Sequence, residues 1–222
     1  SPIYTTVKVE DENAVYVLAN NKKYHIINLT TFYAWGLSWS NVNKFATGVG
    51  TGNNERGLTY VGKELVTEME KLGIIVDVSH LNEKSFWDVI EIAKKPIIAS
   101  HSNSFTVSNH ERNLKDDQIS AIKEIDGTIG INFCDLFLST KIKNEEIGFE
   151  IIKNHIDKIV ELASIDNVSL GSDYDGATVP MILKDISYYP QLIDYLEESG
   201  YNRQEIEKIT SKNFLRIMKK CW

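Results

Sequence analysis

Two histidines, His80 and His101, are the residues of this sequence whose type and position most directly suggest chemistry. Each comes just after a short apolar run, in Ile-Ile-Val-Asp-Val-Ser-His80 and in Pro-Ile-Ile-Ala-Ser-His101. If the two runs are neighbouring parallel strands, both imidazoles lie at the same edge of the sheet and can converge on one cation. Neutral imidazole is a good ligand for Zn²⁺. The alternative is that each histidine caps a helix or satisfies a polar group of the core.

A third apolar run ends in carboxylates. Asp173 and Asp175 lie in the segment Gly-Ser-Asp-Tyr-Asp-Gly. Because alternate residues of a strand face opposite ways, we expect only one of them to face a site at the end of the sheet. A carboxylate in that position can ligate a metal or act as a general acid or base. The alternative is a turn, since Asp and Gly both favour turns.

Three further residues carry less specific signals. Arg112 precedes a helix start and could hold a carboxylate in a bidentate grip, although a surface salt bridge is the commoner fate of a lone arginine. His155 lies on the apolar stripe of a predicted helix, so we expect a core histidine with a hydrogen-bond partner. His110 lies in a polar stretch and is expected to order a loop.

The composition excludes several classes of protein. The chain has 222 residues, of which 42% are hydrophobic and 25% charged, as in ordinary globular proteins. A net charge of −7 makes nucleic acid an unfavourable partner. The apolar runs are far shorter than the roughly 20 residues of a membrane helix, so no membrane partner is expected. Two cysteines, Cys134 and Cys221, cannot form a disulfide scaffold and suit a reducing, cytoplasmic setting.

Helical and strand patterns alternate along most of the chain. Strands are predicted at 73–80, 96–101, 127–133 and 168–173, and helices at 58–72, 82–95, 116–125, 146–163, 189–199, 203–210 and 212–219. Such alternation is typical of a parallel α/β sheet. Chemistry at the ends of several strands, without a glycine-rich phosphate turn, favours a (β/α)8 barrel over a doubly wound sheet. We expect one domain, residues 1–222.

Several segments together resemble the membrane (renal) dipeptidase family of the amidohydrolase superfamily. They are GLTYVGKELVTEMEKLGIIVDVSH, KPIIASHSN, NHERNLKDDQ, GTIGINF, HIDKIVELASIDNVSLGSDYDG and KNFLRIM. The resemblance runs from Gly57 to Met218, about three quarters of the chain, and rests on the order, spacing and flanking residues of all six segments.

The resemblance implies a (β/α)8 barrel enzyme that cleaves dipeptides with water activated by two zinc ions. It implies that His80 and His101 ligate one metal and that a bridging carboxylate comes from Glu10, in VKVEDENA. It further implies that Arg112 binds the substrate carboxylate and that Asp173 is the acid/base residue.

High Lys, Ile and Asn usage suggests a bacterial source.

The sequence departs from the family pattern in its first part. No counterpart of the family's N-terminal His-x-Asp precedes the matching segments, and the first two β/α units of the barrel have no match. Thr31 stands where the family has a histidine that contacts the substrate carbonyl. A fragment of a longer dipeptidase and a naturally reduced member both remain open. So does a catalytically inactive relative that serves as a metal-binding or protein-binding module, and an open barrel favours homo-oligomers.

Overall fold

A parallel sheet of three strands carries the residues singled out above. The computed structural model describes residues 56–222, together with three short strands in the part of the chain before them. The parallel strands are β4 (Ile98–Ala99), β5 (Thr128–Asn132) and β6 (Val168–Ser172), in the order β4-β5-β6. The chain divides into two units, residues 1–67 with 81–89 and residues 68–80 with 90–222, and the parallel sheet belongs to the second.

The three strands near the start of the chain form a separate antiparallel sheet in the first unit. They are β1 (Thr5–Val7), β2 (Tyr16–Ala19) and β3 (Lys22–His25), and β2 lies between the other two. Tyr16 pairs with His25 at one end of the β2–β3 ladder. This hairpin arrangement was not predicted from the sequence.

Helices follow the strands in the alternation that the sequence predicted. They are α1 (Tyr60–Lys71), α2 (Glu83–Ile92), α3 (Asp116–Glu124), α4 (Asp135–Leu138), α5 (Phe149–Leu162), α6 (Tyr189–Glu198), α7 (Arg203–Glu207) and α8 (Asn213–Cys221). A π-helical turn, Lys208–Lys212, joins α7 to α8. Short 3-10 turns lie at Asn144–Glu146, Ile165–Asn167, Met181–Leu183 and Ile186–Tyr188.

The core of the second unit forms where the apolar stripes of the helices meet the strands. All five residues of β5 are buried, as expected for a strand covered on both faces. The buried residues of α5 recur at three- and four-residue steps, which places them on one face of the helix. The fully buried large side chains of this unit include Ile97, Ile119, Ile122, Ile129, Ile131, Phe133, Leu138, Ile152, Ile156, Ile159 and Leu183.

The predicted strand at 73–80 is the element in which the structure departs most from expectation. This segment forms only an isolated parallel bridge between Asp77 and Ile98, supported by backbone bonds from Val78 to Ile98 and from Ile98 to Val76. The ladder stops there because the backbone N–H of Ser100 donates to the side chain of Asp77 rather than to a neighbouring strand. The predicted strand at 96–101 shortens to the two residues of β4.

The described residues therefore show a mixed helix and sheet structure with parallel strands. The complete (β/α)8 barrel, the absence of its first two units and the single domain stay predictions. Within the described residues, every helix is too short or too polar to span a bilayer.

Candidate active site

The imidazoles of His80 and His101 face each other, as the sequence predicted from their positions after successive apolar runs. Their Nε2 atoms lie 2.9 Å apart and their ring centroids 4.9 Å apart. Zn–N bonds measure about 2.0–2.1 Å, so two nitrogens around a tetrahedral zinc are about 3.3–3.4 Å apart. The two Nε2 atoms are within hydrogen-bonding distance of each other, and a separation of about 0.4 Å more would let both bind one cation.

A turn built on Asp77 aims His80. The Oδ1 atom of Asp77 accepts the backbone N–H of Ser79 at 3.0 Å and that of Ser100, also at 3.0 Å. The first contact ends the extended segment and the second ties it to the end of β4. His80 then adopts a left-handed backbone conformation with φ of 70°. Non-glycine residues adopt this conformation rarely, and strain of this kind concentrates at functional sites.

The hydroxyl groups of Ser79 and Ser100 position His101. The backbone N–H of His101 donates to Ser79 Oγ at 3.1 Å, and Ser79 Oγ lies 3.4 Å from Ser102 Oγ. Ser100 Oγ lies 2.6 Å from His101 Nδ1 and donates to Asp77 Oδ2 at 2.5 Å. The ring of His101 is therefore fixed both through its backbone and through its Nδ1 atom.

Arg112 reaches the same place from the loop after β4. Its Nη2 group donates to the carbonyl oxygen of His101 at 3.2 Å, and its guanidinium lies 5.3 Å from the centroid of the Phe137 ring. The residue is only 8% exposed, and its Nε–H has no hydrogen-bond partner. Arg112 is thus a buried arginine that contacts the backbone of His101, and the alternative of a surface salt bridge does not apply.

Asp173 joins the site through Asn132. The Nδ2 group of Asn132 donates to Asp173 Oδ2 at 3.0 Å and to the carbonyl oxygen of His101 at 3.3 Å. Of the two carboxylates in this segment, Asp175 is exposed and Asp173 is half-buried. The expectation that one of them faces the site agrees with this arrangement.

The chain turns sharply where β6 ends. Ser172 and Asp173 are both left-handed, with φ of 61° and 82°. Just before them, a Cβ on Gly171 would lie 2.1 Å from the carbonyl oxygen of Ser100, and so would a Cβ on Gly130 in β5. Only glycine fits at these two positions, because the backbone that leads into His101 crosses directly over them.

Burial and the nearby Arg112 favour the neutral form of the His80 imidazole. Burial lowers the pKa of His80, Arg112 and His101 lower it further, and Asp173 and Asp77 oppose them. Burial likewise lowers the pKa of Arg112, against the raising effect of Asp173 and Asp77. A neutral His80 has a free lone pair, which a metal ligand requires.

The other two histidines of this unit have structural contacts. His155 is fully buried, accepts the backbone N–H of Ser104 at Nδ1 and contacts the carbonyl of Leu138 through Nε2 at 3.0 Å. The prediction of a core histidine with a hydrogen-bond partner is confirmed. His110 Nδ1 accepts the backbone N–H of Arg112 at 3.2 Å, which agrees with a role in ordering that loop.

Two of the described residues, His80 and His101, have the chemistry of metal ligands and lie close enough to share one ion. Among the residues that the structure describes, no third His, Cys, Asp or Glu joins His80 and His101. Glu10, the predicted bridging carboxylate, and Thr31, the predicted contact of the substrate carbonyl, both lie outside the described residues.

A comparison with protein families identifies the family of this chain. The sequence profile of the membrane dipeptidase family (peptidase family M19) matches residues 24–221. The chain belongs to this family. Its membership of the amidohydrolase superfamily is consistent with the same match and with the structural neighbours.

Individual relatives agree with the M19 assignment. The chain is 36% identical to a Klebsiella pneumoniae protein, described as an uncharacterized protein in the pqqA 5′ region, over 88% of the chain and 76% of that protein. It is 34% identical to an uncharacterized dipeptidase of Schizosaccharomyces pombe, over 86% of the chain and 48% of that protein.

Solved structures of peptidases share the fold. One is a Rhodobacter sphaeroides metallopeptidase liganded with a phosphinate mimic of the dipeptide L-Ala-D-Ala. It is 34% identical with a TM-score of 0.77, over 87% of the chain and 58% of that structure. Another, dipeptidase AC, is 35% identical with a TM-score of 0.75, over 80% of the chain and 54% of that structure. The chain thus spans a little over half the length of these two solved structures.

The polar residues that surround His80 and His101 in this candidate site were not predicted from the sequence. They are Asp77, Ser79, Ser100, Asn103 and Asn132. A signal does exist, because each follows or interrupts an apolar run at the carboxyl end of a strand-like segment. For example, the Asn103 side chain bonds both the N–H and the carbonyl of Asn132, each at 3.0 Å, and so links the ends of two such segments.

Proposed function

We propose that this protein is a zinc-dependent dipeptidase of the M19 family. The observation that carries the proposal is the 2.9 Å approach of the Nε2 atoms of His80 and His101. Arg112 and Asn132 both bond the carbonyl of His101, and Asn132 also bonds Asp173. The proposed metal ligands, the proposed carboxylate-binding arginine and the proposed acid/base residue thus share one hydrogen-bonded framework.

A zinc ion held by His80 and His101 would lower the pKa of a bound water and polarise the substrate carbonyl. Glu10 is the proposed further ligand. Three protein ligands leave a coordination position open, as catalytic zinc sites require. Cofactor, substrate and residue roles rest on the family membership together with this geometry.

The chain's own residues bind and orient the dipeptide in this proposal. The guanidinium of Arg112 holds the C-terminal carboxylate and so sets the register of the scissile bond. Thr31 can donate one hydrogen bond toward the substrate carbonyl. Asp173 accepts a proton from water at a carboxylate oxygen and donates it to the leaving amine. Its Oδ2 is held by Asn132, which leaves Oδ1 for this transfer.

The test is hydrolysis of a panel of dipeptides, including ones with a C-terminal D residue, before and after removal of metal by a chelator. We expect turnover that is lost with the chelator and restored by Zn²⁺. Asp173→Asn abolishes it, whereas Asp175→Asn, the matched control, leaves it within a few-fold. Asn tolerates left-handed backbone, so both variants keep the turn, in which Asp173 and Asp175 have φ of 82° and 63°.

Two outcomes would overturn this proposal. A folded, zinc-loaded chain that cleaves no dipeptide would point to a metal-binding relative without peptidase activity. Equal activity of Asp173→Asn and Asp175→Asn would remove Asp173 from the reaction.

A further inference from the structure

We infer that Asp77 acts through the hydroxyl of Ser100 to hold His101 in the tautomer that presents Nε2 as a metal ligand. This assigns two positioning residues to the site, and the metal that they serve rests on the proposed function. The three groups form one chain of short contacts: Ser100 Oγ donates to Asp77 Oδ2 at 2.5 Å and lies 2.6 Å from His101 Nδ1.

Asp77, Ser100 and His101 thus form a hydrogen-bond relay. The direction of each hydrogen bond in this relay follows from counting protons. An ionised carboxylate can only accept, so Asp77 takes the single proton of the Ser100 hydroxyl. Ser100 Oγ then offers only lone pairs to His101, and Nδ1 must be the donor. A neutral imidazole has one N–H, so Nε2 of His101 carries the free lone pair. This Nε2 atom lies 2.9 Å from Nε2 of His80, and the proposed cation would be bound by both atoms.

The remaining contacts of Asp77 keep the relay in place. Its other oxygen, Oδ1, accepts the backbone N–H groups of Ser79 and Ser100, both at 3.0 Å. These two bonds fix which oxygen faces the Ser100 hydroxyl. Metal-bound histidines commonly donate their second N–H to such a partner, and loss of the partner costs about 10–100-fold in metal affinity. Here a serine lies between the carboxylate and the imidazole.

The substitution Asp77→Asn reverses the relay. The Oδ1 atom of the asparagine keeps the two backbone bonds, so its Nδ2 group faces Ser100 and donates to it. The hydroxyl proton of Ser100 is then free to point at His101 Nδ1, which becomes an acceptor and moves the imidazole proton to Nε2. Ser100→Ala behaves differently, because it leaves Nδ1 without a partner and prefers neither tautomer.

The experiment reads the tautomer of His101 in the metal-free full chain from long-range ¹H–¹⁵N NMR correlations. In parallel, it measures Zn²⁺ affinity by competition with a chromophoric chelator. We expect the wild type to carry its proton on Nδ1 and Asp77→Asn to carry it on Nε2. Affinity should fall about 10-fold for Ser100→Ala and about 100-fold for Asp77→Asn. The double variant should return to the level of Ser100→Ala, and Ser100→Thr should keep the wild-type tautomer.

The chain provides a matched control pair. Ser187 donates its backbone N–H and its hydroxyl to Asp185 at 2.9 and 2.5 Å. No histidine joins that pair among the described residues, so Asp185→Asn and Ser187→Ala should change neither readout. An unchanged His101 tautomer in Asp77→Asn, or additive losses in the double variant, would overturn the relay. If the wild type binds no Zn²⁺, the proposed function fails separately, and the tautomer measurement still decides the relay.

Discussion

The side-chain amide of Asn132 links the carboxylate of Asp173, at 3.0 Å, to the carbonyl of His101, at 3.3 Å. Asn132 is fully buried, and its Oδ1 atom accepts the backbone N–H of Cys134 at 2.6 Å, so the amide has a fixed orientation. One residue at the end of β5 therefore couples the proposed acid/base group to the backbone of a proposed metal ligand.

Replacing Asn132 with Asp tests this coupling through pH. The substitution keeps the shape of the side chain and places a second carboxylate against Asp173. Two adjacent carboxylates cannot both ionise easily, so the pKa of one of them rises. In a plot of kcat/KM for a dipeptide against pH, we expect the acid limb to shift to higher pH by about one unit or more.

The control for this variant is Asn144→Asp, since Asn144 also donates to an aspartate, Asp135, at 2.9 Å. Its pH profile should match that of the wild type. An unshifted profile in Asn132→Asp would show that Asp173 does not titrate in the reaction.

Arg112 should control affinity for the C-terminal carboxylate of the substrate. Arg112→Lys keeps a positive charge but loses the planar fork, so we expect KM to rise about 10–100-fold with a smaller change in kcat. The same substitution should change the KM for a dipeptide amide very little, because the amide lacks the carboxylate. Arg203→Lys, on a side chain that is 88% exposed, is the control. Equal losses for the acid and the amide would contradict this role.

Gly130 and Gly171 should tolerate no side chain. A Cβ at either position would lie 2.1 Å from the carbonyl oxygen of Ser100. We expect Gly130→Ala and Gly171→Ala to lower the free energy of unfolding by about 3 kcal/mol or more, measured by urea denaturation. A Cβ on Gly148 meets nothing within 4 Å, so Gly148→Ala should stay within about 1 kcal/mol of the wild type. Equal effects of all three would refute the crowding argument.

His155 should make stability depend on pH. Burial lowers its pKa from 6.5 to about 4, so the unfolded chain takes up this proton first as the pH falls. The free energy of unfolding should therefore decrease between about pH 6.5 and pH 4 by at most about 3 kcal/mol, and this contribution levels off below pH 4. His155→Gln should lack that part of the slope in urea titrations. If stability falls equally with pH in the wild type and in His155→Gln, His155 is not the source of the pH dependence.

Regular, strongly periodic segments could be predicted from the sequence. The helices α1, α3, α5 and α6 and the strands β5 and β6 lie where apolar periodicity placed them, because burial of one face or of a whole strand determines that pattern. The pairing of His80 with His101 was predictable for the same reason, since each follows an apolar run.

Contacts between distant polar side chains could not be predicted in the same way. Asp77 bonds Ser100 across 23 residues of sequence, and Asn132 bonds Asp173 across 41. Short polar residues at strand ends also suit ordinary turns, so their type and position do not reveal such partners. The shortened strand at 73–80 has the same origin, because the side chain of Asp77 takes a backbone donor that a ladder would otherwise use.

The most direct test of the central claim is the metal content of the purified chain. Elemental analysis follows Zn²⁺ loading and desalting, with His80→Ala and His101→Ala beside the wild type and His110→Ala as the imidazole control. We expect tightly bound zinc in the wild type and in His110→Ala, and its loss in both ligand variants. Zinc retained by His80→Ala and His101→Ala, or a folded wild type without zinc, would contradict a metal site at these two histidines.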